Sequence, residues 1–367
     1  MDNRQLIVHL IYQLDIGGLE RVMLNCIAKM QPTKPYRHVI VSLTDANNFS
    51  QDTLSEPVEV YSLHKKPGSD LSIHGKLFKL LRKLKPAVLH TYNLATIEYH
   101  PIARLAGVKG HIHAEHGRDI NDPQGLNKKH NLLRRLMAPF LQFYVAVSED
   151  LSNWLQTEVG ISKRKVKLIH NGINTEVFNV TKQPSEALRL SIIARLSPIK
   201  NHRNLIEAFK LLREEIGLSK LPKLNIIGDG PLRTELEELV DSYQLNTVIC
   251  FLGARDDIAQ LLSQTDIFVL SSIAEGIPMT ILEAMSSSTP IIATDVGGIG
   301  EVVTTGVEGE LVESENPLAL AQAIKLYIEN PDRIENQAIA ARKRIVEQFS
   351  EESMVEQYSR YYDQICS

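Results

Sequence analysis

Glu275 and Glu283 stand on either side of a helix start in the segment SSIAEGIPMTILEAM. The apolar run 267–270 before it reads as a buried strand, and the Ser/Gly/Pro stretch after that run reads as a loop. Pro278 suits the first helical position, where its missing N–H would have no partner anyway. The N–H groups of Met279, Thr280 and Ile281 then open at the positive end of the helix dipole, a ready site for phosphate. Glu275, Gly276 and Ile277 lie just before that terminus. Glu283 follows Pro278 by five residues, roughly 7–8 Å along the axis. Carboxylates accept hydrogen bonds from hydroxyls strongly. A ligand with a sugar on one side of a diphosphate and a ribose on the other suits the pair. From the spacing alone, two solvated glutamates on an ordinary strand–loop–helix unit read equally well.

Two cations occupy a second loop. The run 188–194 reads as a strand, and Arg195-Leu196-Ser197-Pro198-Ile199-Lys200-Asn201 follows it. Arg195 offers a planar fork of donors and Lys200 a point charge. Each could give an anionic diphosphate a charged hydrogen bond of about 1.5–3 kcal/mol. A solvated basic loop is the plainer reading. Near the start, Gly17 and Gly18 follow a first strand and open a helix, where paired glycines let a backbone approach a ligand closely. The G-x-G-x-x-G dinucleotide pattern is absent, and a tight turn explains these glycines as well.

His116 follows the strand 110–114 and precedes Gly117. His111 and His113 alternate along that strand and are either packed or solvated. No Cys/Asp cluster surrounds the three histidines at zinc spacing, and no metal is expected. His90 and Asn93, after the strand 87–90, hold a similar place, with loop capping as the alternative. Three more turns follow strands: Gly228-Asp229-Gly230-Pro231, Gly253-Ala254-Arg255, and Asp295-Val296-Gly297-Gly298 with Glu301 beyond.

The elements that must position these residues alternate throughout. A chain of 367 residues suggests two domains, and 43% hydrophobic with 23% charged residues is the composition of an ordinary globular protein. No stretch approaches the ~20 apolar residues that span a bilayer. The apolar run 6–14 is short and contains His9, so it reads as a strand rather than a signal peptide. Cys26, Cys250 and Cys366 show no metal or redox spacing, which fits a reducing cytoplasm. Strands are expected at 6–11, 38–43, 58–63, 87–90, 110–114, 143–147 and 166–169. After a fresh start near 188 they recur at 188–194, 223–227, 248–251, 267–270 and 290–293. Helical patterns lie between most of them, including 71–84 and 128–140. Alternation with buried apolar strands means parallel sheets covered on both faces, with ligands at the carboxyl ends of the strands. The expected division is a domain at 1–170, a linker at 171–186, and a second domain at 187–349. A last helix within 350–367 is expected to pack back on the first domain.

In this order the elements resemble the family 4 retaining glycosyltransferases of the GT-B fold, from Gly17 to Glu301. The segments LDIGGLE, LHKKPG and AEHGRD are most similar to sugar transferases associated with bacterial exopolysaccharide and exosortase (PEP-CTERM) gene systems. The resemblance implies two Rossmann-like domains facing a central cleft. It implies a UDP- or GDP-sugar as donor substrate, with no cofactor. By it, His116 contacts the donor sugar and Gly17-Gly18 reach the donor phosphate and the acceptor. Arg195 and Lys200 clamp the diphosphate. Gly228 lies near the ligand, and the segment with Gly253 and Arg255 presents its backbone to the base. Glu275, with Gly276, Ile277, Pro278, Met279 and Thr280, faces sugar and phosphate, and Glu283 holds the ribose. His116, Glu275, Arg195 and Lys200 are the expected catalytic set. Two departures concern loop geometry: Ile277-Pro278 replaces the usual small or aromatic-plus-glycine step, and Ala194 replaces the usual glycine.

The resemblance further implies same-face substitution, in which the leaving phosphate takes the acceptor proton, and a glycan or lipid-linked glycan acceptor. No Asp-x-Asp occurs to hold a divalent ion on a diphosphate, so metal-independent activity is expected. Net charge is +8 over residues 1–172 and −12 over 173–367, giving −4 in total. The basic half carries Lys76, Lys79, Arg82, Lys83 and Lys85 on one expected helix. Another carries Lys128, Lys129, Arg134 and Arg135 among Leu132, Leu133, Leu136, Met137 and Phe140. Such helices can lie on anionic membranes, placing a cytoplasmic enzyme at the inner membrane face; solvated helices covering a sheet are the alternative. Nucleic acid is a poor partner, because aromatic platforms are missing among these cations. A nucleotide-sugar epimerase, a glycan phosphorylase and a non-catalytic sugar-binding protein are the rival readings.

Overall fold

Apolar strands alternating with amphipathic helices form two separate parallel sheets. The structure is a computed structural model and describes residues 4–366 apart from 16, 47–53, 120–121 and 186. Ile16 of the glycine loop, Glu186 at the end of the expected linker, and Ser367 therefore lie outside the described residues. The chain divides into two units: residues 1–172 with 351–367, and residues 173–350.

The first unit contains strands β1 (Gln5–Ile11), β2 (Tyr36–Ser42), β3 (Glu59–Ser62), β4 (Val88–Tyr92), β5 (Gly110–Glu115), β6 (Phe143–Ala146) and β7 (Val166–Leu168). Its helices are α1 (Gly18–Met30), α2 (Ser72–Leu84), α3 (Leu94–Ile97), α4 (His100–Leu105), α5 (Lys128–Met137) and α6 (Glu149–Thr157). The second unit contains β8 (Arg189–Ile193), β9 (Lys223–Ile227), β10 (Ile249–Gly253), β11 (Ile267–Leu270), β12 (Ile291–Thr294) and β13 (Gly309–Val312). Its helices are α7 (His202–Ile216), α8 (Arg233–Ser242), α9 (Ile258–Ser263), α10 (Met279–Ser286), α11 (Ile299–Val302), α12 (Pro317–Glu329) and α13 (Asp332–Gln348). The last helix, α14 (Glu351–Cys366), belongs to the first unit.

The sheet orders are β3-β2-β1-β4-β5-β6-β7 and β10-β9-β8-β11-β12-β13. Every strand pair is parallel, as near-continuous apolar strands require. The expected α/β class with two doubly wound sheets is therefore observed. One strand, β13, escaped the sequence reading: its four residues include Glu310, which breaks the apolar run. The stretch before β8 is tied into the second unit by Lys182. Its Nζ donates to the carbonyls of Leu262 and Thr265, both at 2.8 Å. Among the described residues no helix is long and apolar enough to cross a membrane.

Buried histidines set the chemistry of the first sheet. On the face covered by α1 and α14, His9, His38 and His90 come from adjacent strands. His9 bonds Tyr92 Oη at 2.8 Å and His38 at 3.0 Å, and His90 bonds Tyr362 Oη of α14 at 2.6 Å. On the other face Thr91 links His100 and His113 at 2.8 and 2.7 Å. His113 meets Glu115 at 3.2 Å, and Arg134 Nε donates to that carboxylate at 2.5 Å. Of the two open readings, His111 and His113 are packed. His90 does not end its strand: it is fully buried, and β4 runs on to Tyr92.

Arg134 corrects the expectation for its helix. It is 2% exposed, facing Glu115 and the Trp154 ring rather than solvent. The periodicity of α5 does not distinguish a cation paired beneath a helix from one above it. Lys128, Lys129 and Arg135 remain on the outer face.

Candidate functional site

The second unit brings together the ends of five adjacent strands, β10, β9, β8, β11 and β12. After β8 the loop carries Arg195, which is exposed and whose guanidinium makes no hydrogen bond or ion pair among the described residues. Pro198–Lys200 form one tight 3-10 turn, and Asn201, with φ of 46°, reverses the chain into α7. That turn aims Lys200 at the loop after β11. Lys200 Nζ lies 2.5 Å from Glu275 Oε1, and Ser272 Oγ donates to the same oxygen at 2.6 Å. Backbone contacts join the two loops: Ile273 N–H donates to Ile199 O at 2.8 Å, and Ser271 Oγ donates to the carbonyls of Lys200 and Asn201.

Gly297 shows how tightly the Glu275 loop is held. With φ of 57°, it lies so close that a Cβ would strike the Glu275 carbonyl oxygen. Gly298 N–H then donates to Gly276 O at 3.0 Å. Gly228 plays the same part beneath Arg195: its φ is 136°, and a Cβ would strike the Ala194 carbonyl. Only glycine permits both the conformation and the approach. Gly228 N–H also donates to Gly253 O at 2.8 Å, joining the ends of β9 and β10.

Helix α10 begins one residue later than expected. Pro278 caps it from an extended conformation (φ −72°, ψ 127°) instead of filling its first turn. Ile281 N–H turns back to Pro278 O at 3.1 Å, so Met279 and Thr280, not Ile281, supply the open donors. Glu283 is fully buried inside the unit, with no exposed surface. Arg255 is exposed and held by Asp257, with contacts of 2.8 and 2.5 Å.

In the first unit, Gly17 and Gly18 start α1 in the open, Gly17 in extended backbone (φ −160°). His116 follows β5, and its N–H donates to Asn93 Oδ1 at 2.8 Å. Both ring nitrogens are shielded, and neither makes a hydrogen bond among the described residues. Burial lowers the His116 pKa to about 4; the Glu115 charge acts against this shift, and the His113 charge adds to it. The imidazole is therefore neutral at pH 7 and presents one donor and one acceptor. A cavity beside it is lined by His9, His38, His90 and Tyr92.

Two neighbours of the site escaped the sequence reading. His202 opens α7 beside Lys200, is 1% exposed, and is lowered to about 4 by burial and then by the Lys200 charge. Ser272 holds Glu275. Both follow strand ends, but neither carries a motif. Among the described residues no group of three His, Cys, Asp or Glu side chains is arranged to hold a metal ion.

Two units, each built on a doubly wound parallel sheet, are the architecture of the GT-B class of glycosyltransferase. This chain belongs to the family 4 glycosyltransferases: residues 16–177 match the family described as Glycosyltransferase Family 4, and residues 174–344 match Glycosyl transferases group 1. It is 29% identical over 320 residues to N-acetyl-alpha-D-glucosaminyl L-malate synthase of Bacillus anthracis, covering 83% of this chain and 82% of that one. It is also 29% identical over 252 residues to the UDP-Gal:alpha-D-GlcNAc-diphosphoundecaprenol alpha-1,3-galactosyltransferase of Escherichia coli, covering 65% of each. In fold it is similar to Anabaena HepE, solved in complex with UDP-glucose. The TM-score is 0.82 at 20% identity, over 98% of this chain and 100% of that one.

Proposed function

We propose that this glycosyltransferase moves a sugar from a UDP- or GDP-sugar to a hydroxyl of a glycan or lipid-linked glycan, retaining anomeric configuration and using no metal ion. The observation that carries this reading is the Lys200–Glu275 pair, set beside the start of α10 and the free fork of Arg195. As the bond to the sugar breaks, negative charge grows on the diphosphate. Arg195, Lys200 and the N–H groups of Met279 and Thr280 stabilise it as preorganised charges and dipoles. Glu275 takes hydroxyls of the transferred sugar, and neutral His116 takes another. Gly17 and Gly18 bring backbone N–H groups to phosphate and acceptor. Glu283 is the ribose partner, and the Gly253–Arg255 segment faces the base. The leaving phosphate accepts the proton of the acceptor hydroxyl as the new glycosidic bond forms on the same face. A UDP-sugar and a lipid-linked acceptor are supported by the name of the Escherichia coli relative, and exopolysaccharide or cell-surface polysaccharide synthesis is the setting proposed.

The test is a screen of UDP-glucose, UDP-galactose, UDP-N-acetylglucosamine and GDP-mannose against glycan, lipid-linked and hydroxy-acid acceptors, with product anomers read by NMR. An α-linked product formed equally well in excess EDTA is expected. An inverted anomer, or activity lost to EDTA and restored by a divalent ion, contradicts the mechanism. A product made only on L-malate would move the chain toward the function named for its Bacillus anthracis relative.

The same reading places the first unit on an anionic membrane. Leu126, Leu132 and Leu136 around α5 are 56%, 52% and 57% exposed, next to exposed Lys128, Lys129 and Arg135. Apolar side chains flanked by cations suit an interfacial helix. Flotation with phosphatidylglycerol vesicles is expected, and Leu132→Glu with Leu136→Glu should abolish it. Equal recovery with neutral vesicles removes the electrostatic part, and no flotation at all removes the whole.

A further inference from the structure

Asn93 adopts a backbone conformation that a side chain normally avoids. Its φ is 56° and its ψ 170°, a region populated almost only by glycine. A glycine there would carry no such strain. The side chain that is kept despite it makes one hydrogen bond among the described residues: Oδ1 accepts the His116 N–H at 2.8 Å. Around that bond Asn93 fastens the ends of two strands. Its own N–H donates to Ala114 O at 2.8 Å, extending the β4–β5 pairing. Its carbonyl accepts from Thr96 N–H and Thr96 Oγ1, both at 3.2 Å, which starts α3.

The imidazole of His116 has no such anchor. Neither of its nitrogens is bonded among the described residues, and its ring rests against Tyr92 with centroids 5.7 Å apart. Where the ring sits is therefore decided by the backbone beneath it, and one carboxamide oxygen holds that backbone.

We propose that Asn93 is a positioning residue for His116, keeping the imidazole where it meets the transferred sugar. This rests on the role given to His116 above. Strain of this kind persists where the surroundings over-determine it, and it clusters at functional sites. Small losses of placement are costly in catalysis, with about 1 Å worth 10²-fold.

Asn93→Gly, Asn93→Ala, Asn93→Asp and His116→Ala separate the possibilities, assayed on whichever sugar nucleotide in the screen above the wild type turns over fastest. Asn93→Gly relieves the backbone and removes the clamp. Its melting temperature should hold or rise while kcat falls about 10- to 100-fold, with donor KM within about twofold. A merely structural residue would lose stability and activity together. Asn93→Asp keeps an acceptor oxygen and should recover kcat to within about threefold of wild type, whereas Asn93→Ala should not. His116→Ala inactive with Asn93→Gly fully active overturns the positioning role alone. Equal losses in the Asp and Ala variants also overturn it. Full activity in His116→Ala overturns the role of His116 and the proposal with it.

Discussion

Lys200→Ala should lower kcat by about 10²- to 10³-fold, the cost of losing one preorganised charge at a site of developing negative charge. The expectation rests on geometry that survives the substitution. Lys200 sits on a 3-10 turn whose backbone bonds run through Ser271 and Ile273, and its side chain is 25% exposed. Its removal leaves Glu275 still bonded to Ser272 at 2.6 Å, so the loop keeps its shape. It also leaves an uncompensated carboxylate beside the diphosphate, which adds repulsion to the lost attraction. Lys200→Arg should rescue poorly, because a planar fork does not replace a compact ammonium in a fixed turn. Turnover measured alongside thermal melting checks this. Near-normal turnover in a folded Lys200→Ala protein would sink the diphosphate clamp. Arg195→Ala should act in the same direction.

Glu115→Ala should destabilise the first unit by about 3–5 kcal/mol, because it strands a buried cation. Arg134 and Glu115 are 2% and 0% exposed, and the carboxylate also meets His113. Burial alone would raise the Glu115 pKa. The Arg134 charge, followed by the bond and charge of His113, instead holds it at about 2, against an ordinary 4.5. A folded pKa below the unfolded one contributes stability that is complete above pH 4.5 and is lost as pH falls from there to about 2. Denaturant unfolding across that window measures it. Glu115→Leu combined with Arg134→Met should recover most of the loss and flatten the acid limb, since an apolar pair carries no stranded charge. An unchanged midpoint in Glu115→Ala would show that the pair does not hold the unit.

The alternation of strands and helices was plain in the sequence because parallel sheets bury both faces and leave long apolar runs. Motifs at strand ends were plain for the same reason: loops after parallel strands are short and glycine-marked. What stayed hidden depends on partners distant in the chain. Arg134 looked like one more surface cation until Glu115 was seen beneath it. Lys200 and Glu275 were both expected to meet a ligand; that they meet each other follows from where Ser271 and Ile273 hold their loops. The open donors of α10 shifted by one because Pro278 is extended, a choice of ψ that composition does not fix. Glu283 is acidic yet fully buried, a combination that spacing cannot reveal.

The return of α14 has a consequence for how this protein can be cut and recombined. The chain leaves its first unit after Gly172 and re-enters it at Glu351. At the seam Ile173 bridges Ser350, and its N–H donates to Phe349 O at 3.0 Å. Topologically, residues 173–350 are an insert with neighbouring ends, and such inserts are readily exchanged as cassettes. The second unit could thus be swapped as one continuous piece while the first keeps its identity. Trimming the last sixteen residues does the opposite. It takes Tyr358 and Tyr362 away from His90, so a clipped tail is an injury to the beginning of the protein.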